Sequence, residues 1–446
     1  MNCAAMCDPG TAGECRGPQR RRPAGCVLLA LGIALLLTAC SAATVAPPFP
    51  TATPEDEGLS SERLAGIDAF IARMQREHKV AGAVTLVARR GKLVSLKAHG
   101  LADLETQRAV RLDDLFQLQS MTKPIATVAA LQLMERGLLH LSDPVEKFLP
   151  EFANLQVAVA REGSPDGFDR IPAVRQMTIS DLMTHRAGFV GLPPRDTPAA
   201  RLQRAALASL PADRNFTLEQ FVSRLAEVPL DAQPGAGFRY GPATVVLGRV
   251  IEVVTGQSLD VALQVQIFGP LGMNDTSFRV PQDKRLRVVP AYALKPGQGL
   301  VRLPLDDLAP RFVSAGGNLF GTATDYLRFC QMLLNGGELD GVRILSRQSV
   351  ELMRSPQVDS IPLFFMPGQS FGLGVAVRKA DDSAAWLGSP GTYGWSGGYN
   401  TYFRIDPSEQ VVFALFVQLD FSPFQLELQH GFHDAAVQAY LPAAPR

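Results

Sequence analysis

Along this chain the spacing of hydrophobic positions changes from helical to strand-like and back, and the changes mark out the elements. Between residues 59 and 76 apolar side chains recur at three- and four-residue steps (Leu64, Ile67, Ile71), the pattern of a helix with one buried face. Residues 83–89 and 92–98 are apolar and β-branched runs separated by Arg90-Gly91, which predicts a β-hairpin. A helix opens at Ser120 and meets its C-terminal glycine at Gly137. Asp143-Pro144 reads as an N-cap followed by proline at the first helical position. Residues 161–176 are polar and rich in turn formers, which predicts a loop. Residues 178–185 predict a short capped helix closed by Gly188, and residues 245–255 and 324–335 predict two more. In the last quarter, residues 371–377, 399–405 and 410–417 read as strands, with a turn at Asp406-Pro407-Ser408. An amphipathic helix over residues 423–440 closes the chain.

Strands therefore lie toward both ends and helices fill the middle. The economical arrangement is an α+β (α/β) fold in which one antiparallel sheet, drawn from both chain ends, is flanked by helices and accompanied by a mostly helical lobe. No internal repeat is evident.

The first forty residues have a different character. A basic run, Arg20-Arg21-Arg22, precedes an apolar stretch over 26–39 that is short for a bilayer span but suits the core of a secretory signal. The stretch ends in Leu37-Thr38-Ala39-Cys40, which resembles a bacterial lipobox. That resemblance implies removal of residues 1–39 and diacylation of Cys40. Ser41 after the cysteine implies, by the same analogy, the outer membrane, on the periplasmic side of the cell envelope. A plain secretory signal is the competing reading. The Ala/Pro/Thr-rich segment 40–58 then serves as a lipidated tether, and residues 59–442 form the folded domain.

Composition narrows the function classes. Lys and Arg total 43, as do Asp and Glu, so no basic surplus points to nucleic acid. Of six cysteines, Cys3, Cys7, Cys15 and Cys26 fall in the signal and Cys40 in the lipobox. Cys330 remains alone inside an apolar helical pattern, as a buried structural thiol.

The first chemical candidate is Ser120-Met-Thr-Lys123. Residues three apart share a helix face, so the lysine can reach the serine oxygen and, as a neutral amine, take its proton. Backbone N–H groups at the same helix start would favour an oxyanion. By itself S-x-x-K carries little weight, because a serine N-cap before a surface lysine produces the same string. Its surroundings carry more. Residues 115–137, 139–150, the segment Met177-Thr-Ile-Ser-Asp-Leu-Met-Thr-His-Arg-Ala-Gly188, and the run from Ser314 to Ser346 together resemble the class C β-lactamase, penicillin-binding-protein and class VIII carboxylesterase superfamily, in the family's order. The resemblance spans residues 59 to 440.

It implies roles for particular residues. Tyr240, in Phe238-Arg-Tyr240-Gly-Pro242, matches the family tyrosine that relays protons between nucleophile and leaving group. Pro242 stands where β-lactamases carry asparagine. The third family motif falls on Gly394-Trp395-Ser396-Gly397-Gly398, where Trp395 replaces a cationic residue, as it does in class VIII esterases. Loss of that charge removes a partner for the carboxylate of penicillins and cell-wall peptides, which favours an ester substrate. The oxyanion hole would be the N–H groups of Ser120 and Gly398, with Trp395, Ser396 and Gly397 lining the substrate site. No metal or cofactor is implied.

Three other readings compete. The same stretch spells G-x-S-x-G, the nucleophile elbow of α/β-hydrolases, but the residues after Gly398 are strand-like where the elbow needs a helix. A β-lactamase or D-amino-acid peptidase would keep the chemistry and change the small-molecule substrate from ester to amide. A non-catalytic lipoprotein that binds cell-wall material would keep only the fold. His430 and His433 lack a companion ligand, so they read as surface residues.

Overall fold

The computed structural model describes residues 49–163, 167–193, 195–359, 368–380 and 386–441. The proposed signal, Cys40 and the tether as far as residue 48 lie outside the described residues. Among those described, no helix is long and apolar enough to cross a membrane.

Eight strands form one antiparallel sheet: β1 (Gly82–Arg89), β2 (Lys92–Asp103), β3 (Arg108–Ala109), β4 (Gln369–Phe371), β5 (Ala376–Arg378), β6 (Tyr393–Ser396), β7 (Tyr402–Asp406) and β8 (Val411–Phe416). Their order is β4-β5-β6-β7-β8-β1-β2-β3, so the N-terminal hairpin joins the C-terminal strands through the β1–β8 pair. Both central strands are buried along their whole length. Val84 and Leu86 face one side of the sheet with Val412, Ala414 and Phe416, while Ala83 and Val87 face the other with Val411, Phe413 and Leu415. Helices cover both faces, which is why these strands read as continuous apolar runs rather than alternating ones.

On one face lie α1 (Ser61–Arg76), capped by the Ser60 hydroxyl, and the final helix, α6 (Gln425–Val437). On the other lie α2 (Thr122–Glu135) and α5 (Ala323–Leu334). Helix α2 is apolar on nearly every side and buried throughout its first three turns, as a core helix must be. Beyond it, α3 (Ile179–Met183) and α4 (Ala243–Thr255) belong to the helical lobe. A Thr178–Asp181 capping box starts α3. This is the expected mixed fold.

Three local expectations change. Residues 371–377 form two strands rather than one: Gly372 N–H closes a turn on Val375 O at 2.8 Å, and Gly374 adopts φ +72°. The loop over 161–176 contains half of a hairpin, Gln156–Ala160 with Phe168–Pro172, whose exposed strands bury too little to leave an apolar signature. Pro144 stays extended (ψ 140°), and only a single 3-10 turn, Val145–Lys147, comes after it.

His433 on α6 is buried rather than on the surface, with Nδ1 3.0 Å from the Tyr402 hydroxyl and Nε2 2.6 Å from Leu387 O. Burial pushes the Tyr402 phenol up to about 12, so it donates to Nδ1, and Nε2–H donates to Leu387. Burial pushes His433 itself down to about 3. The unfolded chain binds a proton there below about pH 6.5 and the folded chain does not, so this contribution to stability is whole above pH 6.5 and shrinks as pH falls toward 3. At pH 5 the loss from this one ring is about 2 kcal/mol. Denaturant midpoints should fall between pH 7 and pH 5, and His433→Gln should flatten that slope. An unchanged slope in the variant would disprove the assignment.

Candidate active site

Ser120 sits in a 3-10 turn, Gln119–Met121, that runs directly into α2. Gln119 holds φ +48°, a left-handed conformation uncommon for a side chain of its kind, immediately before the serine. One turn on, Lys123 Nζ is 2.9 Å from Ser120 Oγ and donates to Gly316 O at 2.7 Å. Only 6% of Lys123 is exposed. Its Nζ lies 4.7 Å from the ring centroid of Tyr240, which covers it. The Gly316 contact fixes the lysine from the far side of the chain: Gly316 belongs to a turn closed by Gly317 N–H on Ser314 O.

Tyr240 lies just ahead of α4. Its backbone O accepts from Leu192 N–H at 2.8 Å, and Arg239 N–H donates to His185 O at 2.7 Å, so two loops hold the segment. The Trp395 indole N–H donates to the Tyr240 hydroxyl at 3.0 Å, and the two rings pack at 5.3 Å. The indole N–H is thus spent on the Tyr240 phenol, which it orients.

Gly397 and Gly398 come directly after β6. A Cβ at Gly397 would stand 2.5 Å from Leu118 O and 2.2 Å from Thr401 Oγ1, so the strand end can approach the Ser120 turn only with glycine there. The Gly397 N–H donates to Thr401 O at 2.7 Å, and no backbone partner is found for the N–H of Gly398 among the described residues. Ser396, Gly397, Gly398, Trp395, Tyr240 and Ser120 all line a single cleft of about 290 Å³. Ser396 ends β6, and the chain turns into β7 rather than a helix, so the elbow geometry is absent there.

His185 supports Tyr240 from behind, which its spacing in the sequence does not reveal. It is buried with its ring 4.6 Å from that of Tyr240, between Phe238 and Phe371. Burial holds it well below the usual histidine range, so it is neutral. Its place within the segment 177–188 is the one sign of it in the sequence. His430 and His433 lie on α6, and His433 spends both ring nitrogens on the protein.

The family model for Beta-lactamase matches residues 67–437. The chain belongs to the beta-lactamase family of serine hydrolases. Among its relatives, the esterase EstB of Burkholderia gladioli is 34% identical over 81% of this chain and 91% of that protein. Penicillin-binding protein 4 of Amycolatopsis lactamdurans is 31% identical over 77% of this chain and 82% of that protein. Among solved structures, EstCE1, described as a hydrolase with promiscuous acyltransferase activity, superposes with a TM-score of 0.69 at 28% identity, covering 85% of this chain and 99% of that one. The expected relationship to class VIII-type esterases holds.

Proposed function

We propose that this beta-lactamase-family protein is a carboxylesterase that works through an acyl-enzyme on Ser120. The observation that carries the reading is the 2.9 Å contact between Lys123 Nζ and Ser120 Oγ beneath an open cleft. Lys123, as the free amine, takes the Ser120 proton as Oγ attacks the ester carbonyl. The N–H groups of Ser120 and Gly398 receive the oxyanion. The proton passes through Tyr240 or Lys123 to the departing alkoxide, and the alcohol leaves. Water, deprotonated by the same base, then attacks the acyl carbon, and Ser120 leaves and regains its proton as the carboxylic acid departs.

Esters are preferred over β-lactams because Trp395 removes the motif's cation and commits its N–H to Tyr240. The similarity to EstB supports the same preference. Similarity to a penicillin-binding protein keeps a β-lactam or D-amino-acid amide as the second reading. The test is a panel of short p-nitrophenyl esters against nitrocefin and D-alanyl peptides. Turnover of nitrocefin or peptide well above that of esters would replace the first reading with the second.

We further propose that the enzyme is anchored through lipid on Cys40 at the periplasmic side of the bacterial envelope. Expressed in a bacterium, the full chain should incorporate labelled palmitate and fractionate with membranes. Cys40→Ser should abolish both, and labelling that survives the substitution would refute the anchor.

A further inference from the structure

The cleft wall carries one formal charge among its described residues, and it is negative. Asp420 lines the cleft together with Ser120, and no lysine or arginine among the described residues joins it there. Lys123 lies below the wall, held by Ser120 Oγ and Gly316 O and covered by the Tyr240 ring. Arg214, whose charge also reaches the Tyr399 phenol, does not line the cleft and faces Asp306 at 4.0 Å. The Asp420 backbone is pinned by its N–H donating to Tyr292 O at 2.7 Å, while its carboxylate forms no ion pair with any described residue.

Tyr399 and Phe421 line the same cleft beside Tyr240 and Trp395. Phe421 is 55% exposed, and its ring edge lies 3.5 Å from where a Cβ on Gly398 would stand, beside the proposed oxyanion amide. The Asp420 carboxylate acts on the Tyr399 phenol, which burial first, then Asp306 and Asp420, push up to about 12, so this hydroxyl stays neutral. A carboxylate without an ion pair in a cleft lined by aromatic residues repels anions, and it attracts an alkylammonium group through direct charge, to which ring quadrupoles add.

We propose that the cleft selects esters bearing an alkylammonium group, with Asp420 as the specificity-determining residue. This inference rests on the esterase reading. It also accounts for the missing motif cation: a site with Asp420 on its wall and tryptophan at 395 disfavours carboxylate-bearing substrates twice over.

The test uses three p-nitrophenyl esters of matched chain length on the full-length protein: pentanoate (neutral), 4-(trimethylammonio)butanoate (cationic) and the glutarate monoester (anionic). At low salt kcat/KM should rank cation over neutral over anion, with the cation at least about tenfold above the neutral ester. In Asp420→Asn the cation-to-neutral ratio should collapse to within about threefold, and in the parent enzyme added salt should lower the same ratio. Equal kcat/KM for the cationic and neutral esters, or an unchanged ratio in the variant, would overturn the inference. Calorimetric binding of phenyltrimethylammonium separates the two claims. Asp420-dependent binding without turnover of any ester would sink the esterase reading and leave the cation site standing, whereas ester turnover without such binding would do the reverse.

Discussion

Ser120→Ala should reduce ester turnover by at least about 10⁴-fold, to the level set by binding and oxyanion contacts alone. Ser120 sits at the entry to α2, its hydroxyl held by Lys123 Nζ and facing the cleft. Alanine keeps the turn, because the backbone closure there, Met121 N–H on Leu118 O at 3.0 Å, needs no side chain. The variant should therefore fold with an unchanged melting temperature and still bind substrate. It should also lose labelling by a fluorophosphonate probe, with the label in the parent mapping to the peptide holding Ser120. Ser396→Ala is the matched control for the G-x-S-x-G alternative. Ser396 shares the cleft but ends a strand that turns into another strand, with no helix start behind it. If Ser396→Ala abolished turnover and labelling while Ser120→Ala left them intact, the assignment would be reversed.

The legibility of each feature in the sequence depends on the distance over which its interactions act. Ser120 and Lys123 are one helical turn apart, so their contact is implied by local periodicity. The sheet is readable because its central strands are long and buried on both faces. The partners that finish the site lie far off in sequence: Gly316 is 193 residues from Lys123, and Trp395 is 155 from Tyr240. A motif comparison can place Trp395 near the substrate, but only the fold shows its N–H turned to Tyr240. His185 is marked in the sequence only by its place in the segment 177–188, because it acts by packing beside Tyr240, and packing leaves no spacing signal. The exposed hairpin over 156–172 and the broken strand at Gly374 are hidden for the opposite reason. Turn chemistry and solvent exposure dominate their sequences and mask the short pairings.

Lys123→Met should lower kcat by roughly 10²- to 10⁴-fold, the range expected for losing a general base, with a smaller change in KM. Methionine retains the length and most of the volume of the lysine stem within a site only 6% exposed, so the Tyr240 ring keeps a neighbour to pack on. The structural cost falls on Ser120 Oγ and Gly316 O, which lose their donor at 2.9 and 2.7 Å, and should amount to about 1–2 kcal/mol because both groups are only partly buried. Activity should thus fall far more than stability. A purely structural lysine would give the reverse, a large drop in melting temperature with kcat falling in proportion to unfolded protein. Chemical rescue sharpens the distinction. Lys123→Ala leaves a gap between Ser120 Oγ and Gly316 O, two groups that Nζ had bridged at 2.9 and 2.7 Å. A small primary amine such as ethylamine fits the place of the lost group and can accept the serine proton. Added ethylamine should restore part of kcat in Lys123→Ala, in proportion to the free-base concentration, and should do nothing for Ser120→Ala. Rescue must track the neutral amine rather than total amine, because only the unprotonated form has a lone pair to take the proton. Equal rescue by tetramethylammonium, which has charge and no lone pair, would mean that the lysine acts through electrostatics alone and would remove it from the role of base.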